Sequence, residues 1–363
     1  MYAMINIKMT TQRKIMKQFA QLLREDCFGS DYEITFLDSG AAASEFVISS
    51  AVASYAINMK MMPHVIVASK SAAAICNKMA RLKQCCYTYV APDDIGTIDA
   101  KKIAAAIRQS TCLISAPIVL NGVINNIVQL MAVDTSIPMH VEATNFFGVS
   151  SLNLKQISPA AITAQLSHGG GVLFLENTFI DEYAIRARPQ TLNCVKESYL
   201  SYAELRDSRA AINAKCKRLR TIMQTYLNKL HTDDTNDTND TGESAPLHRH
   251  TQTHPSKLLD TGESGDTGES APPCAVAVFE PSDLKLQIPH LLYFSVRYFG
   301  DDLHELESEF DFIEIVRGDE LADFGALPYE MRRCVLRFTA RPDLDASEIE
   351  RFVGQLRYML TSC

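Results

Sequence analysis

The sequence lacks the features of several protein classes. No run of apolar residues is long enough to predict a membrane span, for which roughly 20 are needed, and residues 1–17 lack the apolar region of a signal peptide. Lysine and arginine form no dense cluster, and the formal net charge is −8. Nucleic acids and anionic membranes attract positive charge, so neither is expected as a partner. We therefore expect a cytoplasmic protein.

The sequence also lacks a metal or disulfide pattern. Its ten cysteines are scattered, with no C-x-x-C pair and no zinc-type spacing, and are predicted to be reduced, small apolar residues. His248, His250 and His254 lie close together in a polar tract, which predicts solvated side chains and no metal site. The triplet Asp-Thr-Gly recurs there without the strand-flanked turn of an aspartic protease.

The sequence does contain a long alternation of strand-like and helix-like segments. With 363 residues and 47% hydrophobic content, the chain can bury a substantial core. The alternation predicts βαβ units around a largely parallel sheet with helices on both faces, which is an α/β fold. The predicted strands are 31–37, 64–68, 86–90, 112–116 and 137–142, and the predicted helices are 11–25, 42–59, 71–83 and 99–108.

A break in composition follows a predicted helix at 199–230. Residues 231–273 are poor in aliphatic side chains and contain D-T-G-E-S three times, which predicts a disordered insertion. Strand and helix patterns return from residue 274 onward and predict a smaller α+β unit. We therefore predict a large α/β domain at 1–187 and a small α+β domain at 188–363, interrupted by the insertion at 231–273.

Two motifs narrow the function. His140 to Asn145 reads H-V-E-A-T-N, and residues 167–175 read S-H-G-G-G-V-L-F-L. They resemble H-V-D-A-x-Q, S-x-H-K and G-x-G-x-L of NifS/IscS-type cysteine desulfurases, which belong to the class V aminotransferase family. Further similar stretches, in the family's order, lie at 33–41, 64–70, 87–108, 188–192 and 334–339. The resemblance implies the pyridoxal-phosphate (PLP) fold type I, with a large, mainly parallel sheet and a smaller carboxyl-terminal domain.

The resemblance also implies where a PLP site would lie. It places Ser39, Gly40 and Ala41 in a helix-opening turn whose free N–H groups suit a phosphate. Glu142 takes the position of the aspartate that binds the pyridine nitrogen, and Arg337 that of the arginine that binds the substrate carboxylate. The remaining cofactor-binding positions are Asn145, Ser167, His168 and Thr191, of which Thr191 corresponds to a threonine that reaches the partner subunit's phosphate.

The chain departs from the family at the residues that carry the chemistry. The lysine that should follow His168 and form the Schiff base is missing. Ala73 stands where the family has the histidine that stacks on the cofactor ring, and Ala42 where it has a phosphate-binding threonine. The family's mobile loop maps to residues 316–324, which contain no cysteine. The family's amino-terminal segment Y-L-D-N-A-A-T-T has no counterpart either.

These departures favour a degenerate NifS-like protein without desulfurase activity, which acts by binding or as a dimeric scaffold. Such proteins resemble the NifS-like proteins of some large DNA viruses, for which a virion or viral factory is a second expected location. PLP binding is not expected to be covalent, and a homodimer with an unknown protein partner is expected. Two alternatives stay open: a PLP-dependent desulfurase or lyase that uses another lysine, such as Lys70 or Lys155, and a non-catalytic binder of small anions or phosphates.

Overall fold

The structure is a computed structural model. It describes residues 2–93, 96–150, 152–183, 194–236, 276–279, 287–296, 302–317 and 334–361. The helices in these ranges are α1 (Tyr2–Asp26), α2 (Gly40–Met59), α3 (Lys70–Arg81), α4 (Ala100–Ala106), α5 (Ile127–Met131), α6 (Leu154–Ile157), α7 (Asn177–Tyr183), α8 (Val195–Asn236), α9 (Asp302–Glu309) and α10 (Ala346–Thr361). The strands are β1 (Tyr32–Leu37), β2 (His64–Val67), β3 (Cys86–Tyr89), β4 (Thr111–Pro117), β5 (Val119–Leu120), β6 (Val123–Ile124), β7 (Met139–Glu142), β8 (Ala161–Gln165), β9 (Gly171–Glu176), β10 (Val276–Phe279), β11 (Leu291–Val296), β12 (Ile313–Ile315) and β13 (Val335–Thr339).

A seven-stranded sheet in the order β1-β9-β8-β7-β4-β2-β3 forms the larger unit. Strand β9 runs antiparallel to both of its neighbours, whereas the pairs from β8 to β3 are parallel. The predicted α/β fold with a mainly parallel sheet is therefore confirmed. The β8–β9 hairpin was not predicted as a pair of strands, although it carries the second sequence motif.

Helices cover both faces of this sheet, because successive side chains of a strand point to opposite sides. Val65 and Val67 of β2 pack with α2, α3 and α7 on one face. Ile66, between them, points to the other face and joins a cluster that includes Phe19 of α1 and Tyr202 of α8. The two clusters are buried cores on opposite faces of the sheet, which agrees with the predicted placement of helices on both faces.

Helix α2 corrects one expectation from the sequence. By length and composition alone it could cross a membrane, although no apolar run was predicted to be long enough. Val47, Ile48 and Ala51 are fully buried and pack in the cluster that also contains Leu173 of β9. These contacts are those of a core helix that lies on a sheet.

The smaller unit is an antiparallel sheet in the order β10-β11-β13-β12. One face packs on α10 and the carboxyl-terminal part of α8, through Phe294, Phe338 and Phe352. The other face, with Leu291 and Tyr293, joins the cluster of the large sheet. Helix α8 continues to Asn236, into the segment predicted as an insertion, and residues 237–273 lie outside the described ranges.

A buried ion pair fixes α1 to α8. Arg209 donates two hydrogen bonds to the carboxylate of Asp26, at 2.7 and 3.3 Å, and Tyr202 donates a third at 2.6 Å. The Arg209 Nε also donates to the carbonyl oxygen of Gly148 at 3.0 Å. Burial by itself raises the pKa of Asp26, but the hydrogen bonds from Arg209 and Tyr202 outweigh it and hold this pKa below its usual value.

Candidate functional site

Most of the predicted site residues that the structure describes lie at the carboxyl edge of the large sheet. Strands β1, β7 and β8 all run in the same direction, so that Ser39, Glu142 and the β8–β9 turn follow them at the same edge. A β-bridge links Ser39 directly to Gly170 of that turn. Ligands of open α/β sheets bind outside the carboxyl ends of the strands, so this edge is the expected place for a site.

The turn at Ser39 opens α2, and two of its N–H groups, those of Gly40 and Ala42, have partners within the chain. Ser39 caps the helix, and its Oγ accepts from the N–H of Ala42 at 3.0 Å. The N–H of Gly40 donates to the Oε1 of Gln165 at 2.7 Å. The expectation that this turn offers free N–H groups to a phosphate is therefore wrong for Gly40, and the N–H of the next residue but one, Ala42, also has a partner. Ala41, the third predicted residue, lies between them in the first turn of the helix.

A tight hairpin takes the place of the family's lysine turn. Gln165 pairs with Gly171, and the N–H of Leu166 donates to the carbonyl oxygen of Gly170 at 3.0 Å. Gly169 and Gly170 have φ values of 90° and 81°, a left-handed conformation that glycine adopts at low cost. A Cβ atom on Gly171 would overlap the carbonyl oxygen of Ser39. The glycines therefore let the hairpin close directly on the turn that was predicted to bind phosphate.

The polar side chains around this hairpin are exposed. Ser167 donates to the Oγ of Ser201 on α8 at 3.3 Å, and His168 and Asn145 lie in turns at the surface. Cys194, at the start of α8, donates through Sγ to the carbonyl oxygen of Gly169 at 2.9 Å. Its place beside the hairpin was not predicted, because 25 residues separate the two partners in sequence.

Glu142 is held by hydroxyl groups at the amino end of α3. Ser69, the N-cap of α3, lies 3.3 Å from both carboxylate oxygens, and Ser71 donates to Oε2 at 3.1 Å. The positive end of the helix dipole favours a carboxylate at this place. The structure thus brings Glu142 to the carboxyl edge of the large sheet, where hydroxyl groups of the chain itself bind its carboxylate. Neither serine was among the predicted site residues.

The two alternative lysines lie at different places. The Nζ of Lys70, the first residue of α3, lies 4.1 Å from the ring centroid of Tyr89 at the carboxyl end of β3. Lys155 lies 5.9 Å from the ring of Phe28, which precedes the amino end of β1. Lys70 is therefore at the edge of the candidate site, whereas Lys155 is at the opposite edge of the sheet.

Arg337 lies on the small sheet and has a carboxylate partner. It pairs with Tyr293 across β11 and β13, on the face that packs toward the large sheet. Its guanidinium forms an ion pair with Glu314 of the neighbouring strand β12. This ion pair offsets the charge of Arg337. Thr191 lies outside the described residues, as does most of the 316–324 loop.

His140, which begins the first motif, is a structural residue. Its ring nitrogens lie 2.9 Å from the Oγ of Ser115 and 2.8 Å from the Oγ1 of Thr163, on the two neighbouring strands. Thr163 in turn lies 2.8 Å from the Oγ of Ser44 on α2. Complete burial lowers the pKa of His140 to about 3, so the ring is neutral at physiological pH. The motif thus contributes His140 to a chain of buried polar contacts that runs from β4 through β7 and β8 to α2.

The resemblance implies a PLP site, but the described residues do not fit PLP in that way. The hairpin carries no lysine for a Schiff base, and both the Gly40 N–H and the Glu142 carboxylate are bound within the chain. No group of histidine, cysteine, aspartate or glutamate side chains in the described part of the chain could hold a metal ion. At this edge the Gly40 N–H and the Glu142 carboxylate therefore have partners within the chain, whereas the side chains of Asn145 and His168 are exposed.

Comparisons with known proteins support the fold. No family model and no curated protein match the sequence. A solved NifS-like protein superimposes with a TM-score of 0.73 at 13% identity, over 98% of this chain and 89% of that chain. A NifS-like protein from Rickettsia africae gives 0.69 at 14% identity, over 97% and 89%. An apo cysteine desulfurase from Thermococcus onnurineus gives 0.70 at 12% identity, over 98% and 86%. The chain therefore has the fold of NifS-like proteins and cysteine desulfurases, as its motifs predicted.

Proposed function

We propose that this chain is a NifS-like protein that no longer desulfurates cysteine and acts by binding or as a dimeric scaffold. One observation carries the proposal. At the carboxyl edge, Gln165 binds the N–H of Gly40, and Ser69 and Ser71 bind the carboxylate of Glu142. The resemblance assigns Gly40 and Glu142 to the cofactor site, and both residues already have partners in the same chain.

The chemistry of desulfuration supports the same proposal. A PLP enzyme holds its cofactor as a Schiff base with a lysine, and a desulfurase also needs a thiolate on a mobile loop to attack the substrate sulfur. The hairpin after His168 carries no lysine, and residues 316–324 carry no cysteine. Cys334, the next cysteine along the chain, is buried and precedes a central strand of the small sheet.

The proposal is tested by measuring sulfide release from L-cysteine with and without added PLP. We expect no release above that of free PLP, while an active cysteine desulfurase in the same assay serves as the positive control. The absorbance of the protein with PLP is recorded before and after borohydride reduction, followed by peptide mapping. PLP-dependent sulfide release that disappears when one cysteine is replaced would overturn the proposal.

The second candidate, a PLP enzyme with a different lysine, is favoured by the position of Lys70. This residue lies between the two serines that hold Glu142, at the edge where the cofactor is expected. The candidate predicts a borohydride-reduced adduct on Lys70 in stoichiometric yield, lost in Lys70→Arg and kept in Lys155→Arg. Scattered substoichiometric labelling of surface lysines would speak against it.

A further inference from the structure

The edge of the large sheet opposite the candidate site carries an exposed apolar patch. Ile57, Met59, Met61, Met62 and Leu82 are between 43% and 74% exposed. They are five of the nine most exposed large apolar side chains among the described residues. We call residues 57–62 and 81–84 the methionine edge. A single exposed apolar side chain needs no explanation, but a contiguous group of them marks an interaction surface.

The two halves of the methionine edge lie side by side. They immediately precede β2 and β3, which pair in parallel with His64 opposite Cys86. The N–H of Cys86 donates to the carbonyl oxygen of Pro63 at 2.9 Å, which fixes the two chain segments next to each other. Neighbouring strands are about 4.8 Å apart and α2 packs on α3, so the two segments lie next to each other at this end of the sheet.

The charges of the methionine edge are all positive. Lys60, Arg81 and Lys83 are exposed, and residues 57–62 and 81–84 contain no aspartate or glutamate. Lys60 and Lys83 have φ values of 52° and 56°, a left-handed conformation that glycine adopts more easily. A lysine thus stands at two turns where glycine would suit the backbone better, each time beside an exposed apolar side chain.

We infer that the methionine edge docks on an anionic lipid surface. Its apolar side chains are unbranched or aliphatic, its cations are mainly lysines, and its residues include no aromatic side chain. The centres of protein interfaces are instead enriched in tyrosine, tryptophan and arginine and depleted in lysine. Apolar side chains that enter the headgroup region beside lysines that meet anionic lipids are the pattern of peripheral membrane binding.

Charge complementarity also fixes the orientation. The whole chain carries a formal net charge of −8, so an anionic surface repels most of the protein and attracts this edge. The bound protein would then direct the carboxyl edge, with its candidate site, away from the lipid. This inference departs from the expectation that no membrane takes part, and it does not depend on the function proposed above.

The test is sedimentation of the full chain with vesicles of phosphatidylcholine alone and of an equal mixture of phosphatidylcholine and phosphatidylserine. We expect binding to the mixed vesicles that weakens with added salt. The double variant Lys60→Gly and Lys83→Gly should bind about 25-fold more weakly, at roughly fivefold for each cation. Both glycines suit the left-handed turns, so the melting temperature of this variant should not fall.

Met61→Gln with Met62→Gln tests the apolar half of the surface and should also weaken binding to the mixed vesicles. Val128→Gln and Lys217→Gln, which change one exposed apolar and one exposed charged side chain elsewhere, are the matched controls and should bind like the unchanged chain. Absence of sedimentation with the mixed vesicles, or an equal loss in the controls, overturns the inference. Self-association that the methionine variant abolishes, without vesicle binding, would assign the surface to a second copy and overturn it too.

Discussion

At the scale of single residues, Gln165 and Glu142 each place acceptor oxygens at the amino end of a helix, α2 and α3 respectively. The first N–H groups of a helix have no partner within the helix and must find an acceptor elsewhere. Gln165 supplies one to α2 through Gly40, and Glu142 places its charge at the amino end of α3. An unsatisfied buried polar group costs about 1–3 kcal/mol, so a helix end gains stability when a side chain of the same protein supplies its partner.

The ion pair of Asp26 and Arg209 allows a prediction at this scale. The two side chains are only 11% and 13% exposed, so Asp26→Asn leaves a largely buried guanidinium without its charge partner. We expect a loss of about 2–4 kcal/mol in the free energy of unfolding, somewhat below the cost for a fully buried pair. Chemical denaturation at neutral pH measures this loss. Glu25→Gln, an exposed neighbour, is the matched control and should change stability by less than about 0.5 kcal/mol.

The ion pair of Asp26 and Arg209 also makes the stability of the fold depend on pH. The pKa of Asp26 is lower in the folded chain than in the unfolded one, where it is near the usual value of about 3.9. Its contribution to stability is therefore complete above that pH and is lost as the pH falls through the folded pKa. The difference between the unchanged chain and Asp26→Asn should accordingly shrink in acid. A difference that stays constant down to the acid transition would mean that the charge of Asp26 does not stabilise the fold.

At the scale of elements, the strands with strong β patterns were predictable and the site contacts were not. Strand β2 (H-V-I-V) and strand β4 (T-C-L-I-S-A-P) are fully buried and consist mostly of β-branched and apolar residues, which local sequence reveals. Strand β8 reads A-I-T-A-Q, and its alanines carry little β signal although four of its five residues are buried. The bond between Gly40 and Gln165 joins residues 125 positions apart, so only the folded sheet shows it.

The repeat-rich insertion gives a prediction for an element. Helix α8 continues to Asn236 and β10 begins at Val276, so the segment to remove is 237–273 and not the predicted 231–273. Replacing it with a short glycine-serine linker should shift the melting temperature by less than about 4 °C, because loop-closure entropy changes slowly with length. Phe352→Ala, at a fully buried residue of α10, is the positive control. It should lower the free energy of unfolding by about 3–5 kcal/mol, and its lower melting temperature shows that the measurement detects a loss of stability. A larger shift on deletion would mean that the insertion packs on the fold.

At the scale of the whole molecule, α8 connects the two sheets. Its amino-terminal part packs on the large sheet through Val195 and Tyr202, and its later part packs on the small sheet through Met223 and Leu227. The face of the small sheet that carries Tyr293 and Arg337 is thereby held toward the large unit. Catalytic side chains can be lost without disturbing these contacts, because the cores of the two units use other residues.

The same argument predicts the oligomeric state. The resemblance implies a two-fold interface to which the segment around Thr191 contributes, and an interface that buries a large apolar area is constrained by folding rather than by catalysis. We therefore expect a homodimer whether or not the chain catalyses a reaction, with light scattering at micromolar concentration giving twice the mass of the chain. Met61→Gln with Met62→Gln should leave this mass unchanged, because the methionine edge lies at the end of the sheet away from the candidate site. A stable monomer mass would contradict the prediction and remove Thr191 from any role at a neighbouring site.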